Sequence, residues 1–182
     1  MERSAALDLL TANVKTKNLV KHCLACEAVL GALAERLGGD AALWRLAGLL
    51  HDVDYDQTVS SPETHALIGA KALEEAGVPP EVVHAVLAHA DKAPRESLLD
   101  KALWCVDPLT GLIVAAALIR EEKKLAAIDA QFVLNRMKEK GFARSANRDQ
   151  IRACETELSL PLAEFVEITV RAMQGIAAEL GL

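Results

Sequence analysis

Aromatic residues are scarce in this chain. Two Trp, one Tyr and three Phe among 182 residues leave few platforms on which nucleobases could stack. A basic excess is missing too: Lys and Arg number 20 against 26 Asp and Glu, for a net charge of −6. With no block of like charge, the balance argues against general nucleic-acid binding and against an anionic membrane surface, while a local basic pocket stays possible. The four cysteines, Cys23, Cys26, Cys105 and Cys154, form no disulfide framework for a chain of this size. Cys23 and Cys26 make a C-x-x-C, but a zinc site would need a second pair and a thioredoxin-like motif a preceding strand. They read as small hydrophobes buried on a helix. No long uninterrupted apolar run exists either. The longest, Ala102 to Ile119, contains Asp107, Pro108 and Thr110, which a bilayer span rarely tolerates. Met1-Glu2-Arg3-Ser4 leads straight into an amphipathic pattern, with no signal peptide to be read. The expectation is a soluble, cytoplasmic protein.

Strand signals are nearly absent as well, and Ala, Leu, Glu, Lys and Arg recur at helical spacing. With 52% hydrophobic residues, the chain can bury a substantial core. About seven helices are expected, in an all-α, single-domain bundle over residues 1–182. Val14 to Leu37 forms the first, stopped by Gly38-Gly39. Asp40 caps a second that runs to about Asp52. Ser61-Pro62-Glu63 starts another that ends at Gly77, and Pro79-Pro80 opens one to about Ala90. Asp100 precedes a long helix from Lys101 to about Lys124, with Pro108 inside it as a kink. Further helices follow from Ile128 to Lys140, from an Asn147 cap to Leu158, and from Pro161 onward. Connections are short and no linker composition interrupts them.

Chemistry-bearing residues fall on faces that should be apolar. His22 sits in the stripe Leu19, Cys26, Val29, Leu33, Leu37. His51 and Asp52 end the run Leu43 to Leu50, and Asp107 follows Leu103 and Trp104 by one turn. Buried carboxylates need a cation or several donors. His84 and His89 are five positions apart and so point ~140° from one another on a helix. His89 shares its face with Val82, Ala85 and Val86, whereas His84 lies with Glu81, Ala88 and Asp91 on a solvent stripe. His65 lies beside Ile68 and Gly69, where the glycine allows close packing. Four inward histidines and two aspartates form a ligand set suited to Mn, Fe, Co, Ni or Zn.

The segment Asp52 to Glu63 also places acids where an EF-hand loop wants them. Gln57 occupies the position that needs glycine, however, and Pro62 precedes the last acid, so a calcium loop is disfavoured. The plainer alternative is a solvated acidic loop in which only Asp52 matters.

The order His22, His51-Asp52, Asp107 resembles the HD-domain superfamily of metal-dependent phosphohydrolases. Leu46-Ala47-Gly48-Leu49-Leu50-His51-Asp52 is similar to its core motif, and His65-Ala66-Leu67-Ile68-Gly69-Ala70 to the H-x-x-x-G-A segment of its HDIG-type subgroup. Ala88-His89-Ala90-Asp91 and Cys105 to Gly111 match later landmarks. The resemblance spans about residues 18–120, with a helical extension over 121–182 like that of uncharacterised predicted HD hydrolases. It implies one metal held by His22, His51, Asp52 and Asp107, and a second served by His65 and His89 with Asp52 bridging. Asp52 would be the catalytic residue, orienting the attacking water. Two cations ~3.5–4 Å apart can neutralise a phosphoryl group and prepare a nucleophile. Pro108 stands where the dinucleoside-tetraphosphate hydrolases have lysine, and the Pro-x-Gly-Tyr-Pro signature of the cyclic-di-GMP-cleaving group is absent.

The expected activity is hydrolysis of a small phosphorylated molecule or nucleotide, dependent on one or two divalent transition-metal ions. Two other readings share the ligands: a mixed-valent di-iron oxygenase, and a non-catalytic metal- or nucleotide-binding regulatory module. For the substrate phosphate, Arg95 in the loop between His89 and Asp107 is a candidate clamp. Arg148 after Asn147 is another, with Arg144 a weaker third.

Overall fold

The computed structural model describes all 182 residues. Side-chain caps set many of the boundaries. Asp40 accepts the backbone N–H of Ala42 and Leu43, Asp129 that of Phe132, and Asn147 those of Asp149 and Gln150. Each satisfies donors that a helix leaves free at its first turn. The resulting elements are α1 (Arg3–Asn13), α2 (Lys17–Leu37), α3 (Ala41–Leu50), α4 (Tyr55–Thr58), α5 (Leu67–Glu75) and α6 (Pro80–His89). They continue with α7 (Leu98–Leu118), α8 (Ala130–Met137), α9 (Arg148–Arg152), α10 (Cys154–Glu157), α11 (Leu162–Gly175) and α12 (Ala177–Leu180). Two 3₁₀ turns, Pro62–Thr64 and Leu125–Ala127, complete the set, and there is no strand. The protein is all-α, as the residue pattern implies. Eight of the helices have eight or more residues.

Several boundaries differ for local reasons. Residues 3–13 form a helix of their own, and α2 starts only after a break, at Lys17. The long helix begins at Leu98. Ser97 is its cap and Asp100 sits inside the first turn, closing a reciprocal capping box in which each side chain takes the other's backbone N–H. The helix expected after Ser61 is interrupted. Pro62–Thr64 is a single 3₁₀ turn, and Ala66 adopts a left-handed φ of 66° before α5 starts. This break leaves His65 outside the helix in which it was expected.

Helix α7 is long and apolar enough to cross a membrane by length and composition alone, but here it runs through the middle of the core. It packs against α2, α6, α8, α9, α10 and α11. Pro108 lies inside it and has no N–H to give the carbonyl four residues back. That carbonyl, of Trp104, instead accepts the side-chain amide of Gln150 at 2.6 Å. One continuous apolar cluster extends from Ala6 and Leu10 through α2, α3, α6 and α7 to Phe165, Met173 and Leu180.

The four cysteines are free and buried, in keeping with their reading as small hydrophobes. Helices α2 and α3 approach closely where Gly48 meets the backbone of Cys26 and Glu27. His22, one turn before Cys26, and His51, three residues after Gly48, are thereby brought side by side.

Candidate metal centre

Six residues expected from the sequence converge on one cleft. His22 comes from α2, His51 and Asp52 from the turn after α3, His65 from the break before α5, His89 from the end of α6 and Asp107 from α7. The two oxygens of Asp52 face different neighbours. Oδ2 lies 3.5 Å from His51 Nε2 and 3.8 Å from His22 Nε2. Oδ1 lies 3.4 Å from His65 Nε2 and 3.6 Å from His89 Nε2. His22 Nε2 is also 3.1 Å from His51 Nε2 and 3.1 Å from Asp107 Oδ1. The four imidazoles stand edge to face in a chain, with ring centroids 5.0 to 5.2 Å apart from His22 through His51 and His89 to His65.

The outer nitrogen of every ring is committed. His51 Nδ1 meets the Gly48 carbonyl at 2.9 Å, and His89 Nδ1 meets the Val86 carbonyl. Carbonyls only accept, so these nitrogens carry the protons. His65 Nδ1 donates to Asp54 Oδ1 at 2.9 Å. Thr110 donates its hydroxyl proton to the Asp107 carbonyl and accepts from His22 Nδ1, each at 3.0 Å. In their neutral form all four rings therefore turn Nε2 lone pairs toward one another and toward two carboxylates. Such an arrangement repels itself unless positive charge sits among the atoms. Donor atoms around a first-row ion at ~2.1 Å lie about 3.0–3.4 Å from one another, close to the separations here. Outer partners that fix the tautomer are the usual support of a histidine metal site. The cluster fits a divalent transition metal.

Burial opposes charge on His22 and His89, yet Cys26 and Asp107 raise the one and Asp52 raises the other, a positive charge that the two carboxylates call for and a metal would supply. Burial pushes His51 down to about 4, so it is neutral and free to ligate. Burial would raise Asp52, but His51, His89 and His22 hold it well below the usual carboxylate range. Cys26 also approaches His22, with Sγ 3.9 and 4.0 Å from its two ring nitrogens. Burial raises that thiol, which keeps it protonated and a packing group.

Leu19, Tyr55 and Ala90 join His22, Asp52, His65, His89 and Asp107 in lining a cleft of about 410 Å³. Neither expected arginine lines it. Arg95 pairs with Asp91 and lies 4.0 Å from the Trp104 ring centroid. Arg148 gives its guanidinium to the carbonyls of Phe142, Ala143 and Ala146, which leaves it holding a loop. His84 turns away from the cleft to Asp100, with Nδ1 3.1 Å from Oδ2.

Asp54 is the residue sequence reasoning missed. It is no part of a solvated loop: it is buried, orients His65, and accepts the Gly69 N–H at 2.7 Å. Gly69 packs as expected, since a Cβ there would come within 3.2 Å of the Asp54 carboxylate. The only hint was an acid eleven residues before the histidine that it meets. Thr110, on the apolar face of α7, carried a similarly weak sign.

The family model described as HD domain matches residues 19–133, a range that extends beyond the expected end of the core near residue 120. Among curated proteins, the chain is similar to Ribonuclease Y of Nitratidesulfovibrio vulgaris (strain DP4), 34% identical over 98 residues, covering 53% of this chain and 18% of that one. Ribonuclease Y of Desulfotalea psychrophila is 31% identical over 139 residues, covering 73% and 26%. That of Thermus thermophilus is 32% identical over 114 residues, covering 63% and 20%. The chain thus spans about a fifth to a quarter of the length of these relatives. No solved structure matches.

Proposed function

The chain belongs to the HD-domain superfamily of metal-dependent phosphohydrolases, and from that premise we propose that it hydrolyses a phosphate ester in a small phosphorylated molecule or nucleotide. One observation carries the reading: the two oxygens of Asp52 each face a separate pair of imidazole Nε2 atoms. His22, His51, Asp107 and Asp52 Oδ2 would hold one ion, and His65, His89 and Asp52 Oδ1 a second. When bound, Mn, Fe, Co, Ni or Zn would neutralise charge on the phosphoryl oxygens and make a water acidic enough to attack. Asp52, ionised and pinned among four rings, orients that water. Each Nδ1 keeps its proton and donates it to its outer acceptor, so the imidazoles act as fixed neutral ligands. Leu19 and Tyr55 line the cleft beside these residues. Four free buried cysteines suit a reducing compartment, in keeping with a cytoplasmic enzyme.

The name of the relatives favours a second reading for the substrate, a phosphodiester of RNA. Both are tested in one panel. Phosphomonoesters, nucleotides, cyclic dinucleotides and an end-labelled oligoribonucleotide are incubated with the purified protein and Mn²⁺, Co²⁺, Ni²⁺ or Fe²⁺. Metal-dependent cleavage that disappears in Asp52→Ala supports hydrolysis, and the substrate cleaved separates the two readings. Oxygen consumption with no phosphate release or strand cleavage would overturn both.

A further inference from the structure

Away from the metal centre, the loop between α8 and α9 forms a second concavity of about 430 Å³. Five cationic side chains line it, Lys138, Lys140, Arg144, Arg148 and Arg152, together with Met137, Ala146 and Asn147. No carboxylate does, in a chain whose net charge is −6. Elsewhere the arginines are largely matched with acids: Arg3 with Glu27, Arg36 with Glu164, Arg45 with Glu35, Arg171 with Glu167. Here Lys138, Lys140 and Arg144 have no acidic partner. Glu139, the acid of the loop, is drawn off by Arg136 at 2.7 Å. Asp149 reaches only Arg152, at 3.5 Å.

The concavity is built. The Arg148 guanidinium is spent on the carbonyls of Phe142, Ala143 and Ala146, which wraps residues 142–146 around it and fixes the rim from which Arg144 projects. Its charge is not neutralised by those neutral acceptors and adds to the field in the cup. Lysines after α8 also suit the negative end of that helix, but Arg144 and Arg152 lie outside its reach and need another reason. Gathering like charges costs energy unless a counter-charge is bound.

We infer that this cup binds a compact oligophosphate group, such as pyrophosphate or the phosphate tail of a nucleotide, at a site separate from the metal centre. A ligand carrying three or four negative charges in a small volume matches the unpaired lysines and arginines. The small volume of the cup and the acidic chain as a whole disfavour an extended polyanion.

The probe is inorganic pyrophosphate, titrated calorimetrically into the wild-type protein, into Asp52→Ala and into Lys140→Glu/Arg144→Glu, whose substituted side chains are exposed. Binding should survive in Asp52→Ala, and in wild type stripped with a chelator. It should weaken by about tenfold or more in the double variant and fall with added salt. The proposal is overturned if pyrophosphate does not bind. It is overturned equally if binding is lost on disabling the metal centre while the double variant retains it. Tighter binding of a twelve-nucleotide oligoribonucleotide, lost in the same double variant, would also overturn it by making this an extended nucleic-acid face.

Discussion

Gly48 lies against Cys26 so tightly that a Cβ on it would stand 2.6 Å from the Cys26 carbonyl carbon and oxygen. Neither backbone can yield without moving its helix. Gly48→Ala should therefore destabilise the fold by about 1–3 kcal/mol and lower metal content, because the same contact sets His22 against His51. Urea unfolding and elemental analysis of the purified variant check both. Wild-type stability would show that α2 and α3 can part without cost.

His51→Ala and Asp52→Ala should each lose metal and turnover together. Both side chains are buried at the junction of the two ligand groups, and a metal site needs its deprotonated ligands at one point. Full metal occupancy in Asp52→Ala, measured by mass spectrometry of the elements, would contradict the bridging role.

The double variant His65→Ala/His89→Ala should bind about half as much metal as wild type, if two ions share Asp52. His84→Ala should change neither stoichiometry nor rate, since that ring faces Asp100. Unaltered stoichiometry in the double variant would mean a single ion held by the other four ligand atoms.

Asp54→Asn keeps the shape of the buried side chain but removes the charge that His65 Nδ1 donates to. Loss of such an outer partner costs metal affinity on the order of 10- to 100-fold. Competition with a chelator should show weakening of one metal class and not the other. A uniform loss of both would point to general unfolding around Gly69.

Arg148→Ala should act on stability first. Its guanidinium serves three backbone carbonyls, and losing charge-assisted hydrogen bonds of this kind costs about 1.5–3 kcal/mol. Arg95→Ala removes only an exposed pair with Asp91 and the stacking on Trp104, so its melting temperature should shift less. A rise in KM for Arg148→Ala at unchanged melting temperature would restore it as a phosphate contact.

The clustered histidines and aspartates were legible because such a residue on an otherwise apolar helix face is anomalous on its own. His22, His51, His89 and Asp107 each interrupt such a face, and the structure gathers them. Helix starts were legible where a side chain caps locally, as at Asp40 and Asn147. Ser97 and Asp100 show the limit, since both are good caps and only the reciprocal box decides between them. The break at Ala66 could not be read, because nothing about alanine favours a positive φ. Asp54 looked like a loop acid because the partners that bury it come from tertiary structure, as do the carbonyls that occupy Arg148.

The hydrogen bond from Gln150 to the Trp104 carbonyl bears on where the protein could be divided. The family match ends at residue 133, yet the vacancy that Pro108 leaves in α7 is filled from beyond it, three residues from Asp107. A chain cut at that border would expose an orphaned carbonyl in the helix that carries Asp107, and would strip α7 of the apolar cover of Ile151, Cys154 and Phe165. The border of shared ancestry and the border of cooperative folding therefore do not coincide. Transplanting the matched segment alone would carry every residue of the cluster and leave behind part of what holds one of them in register.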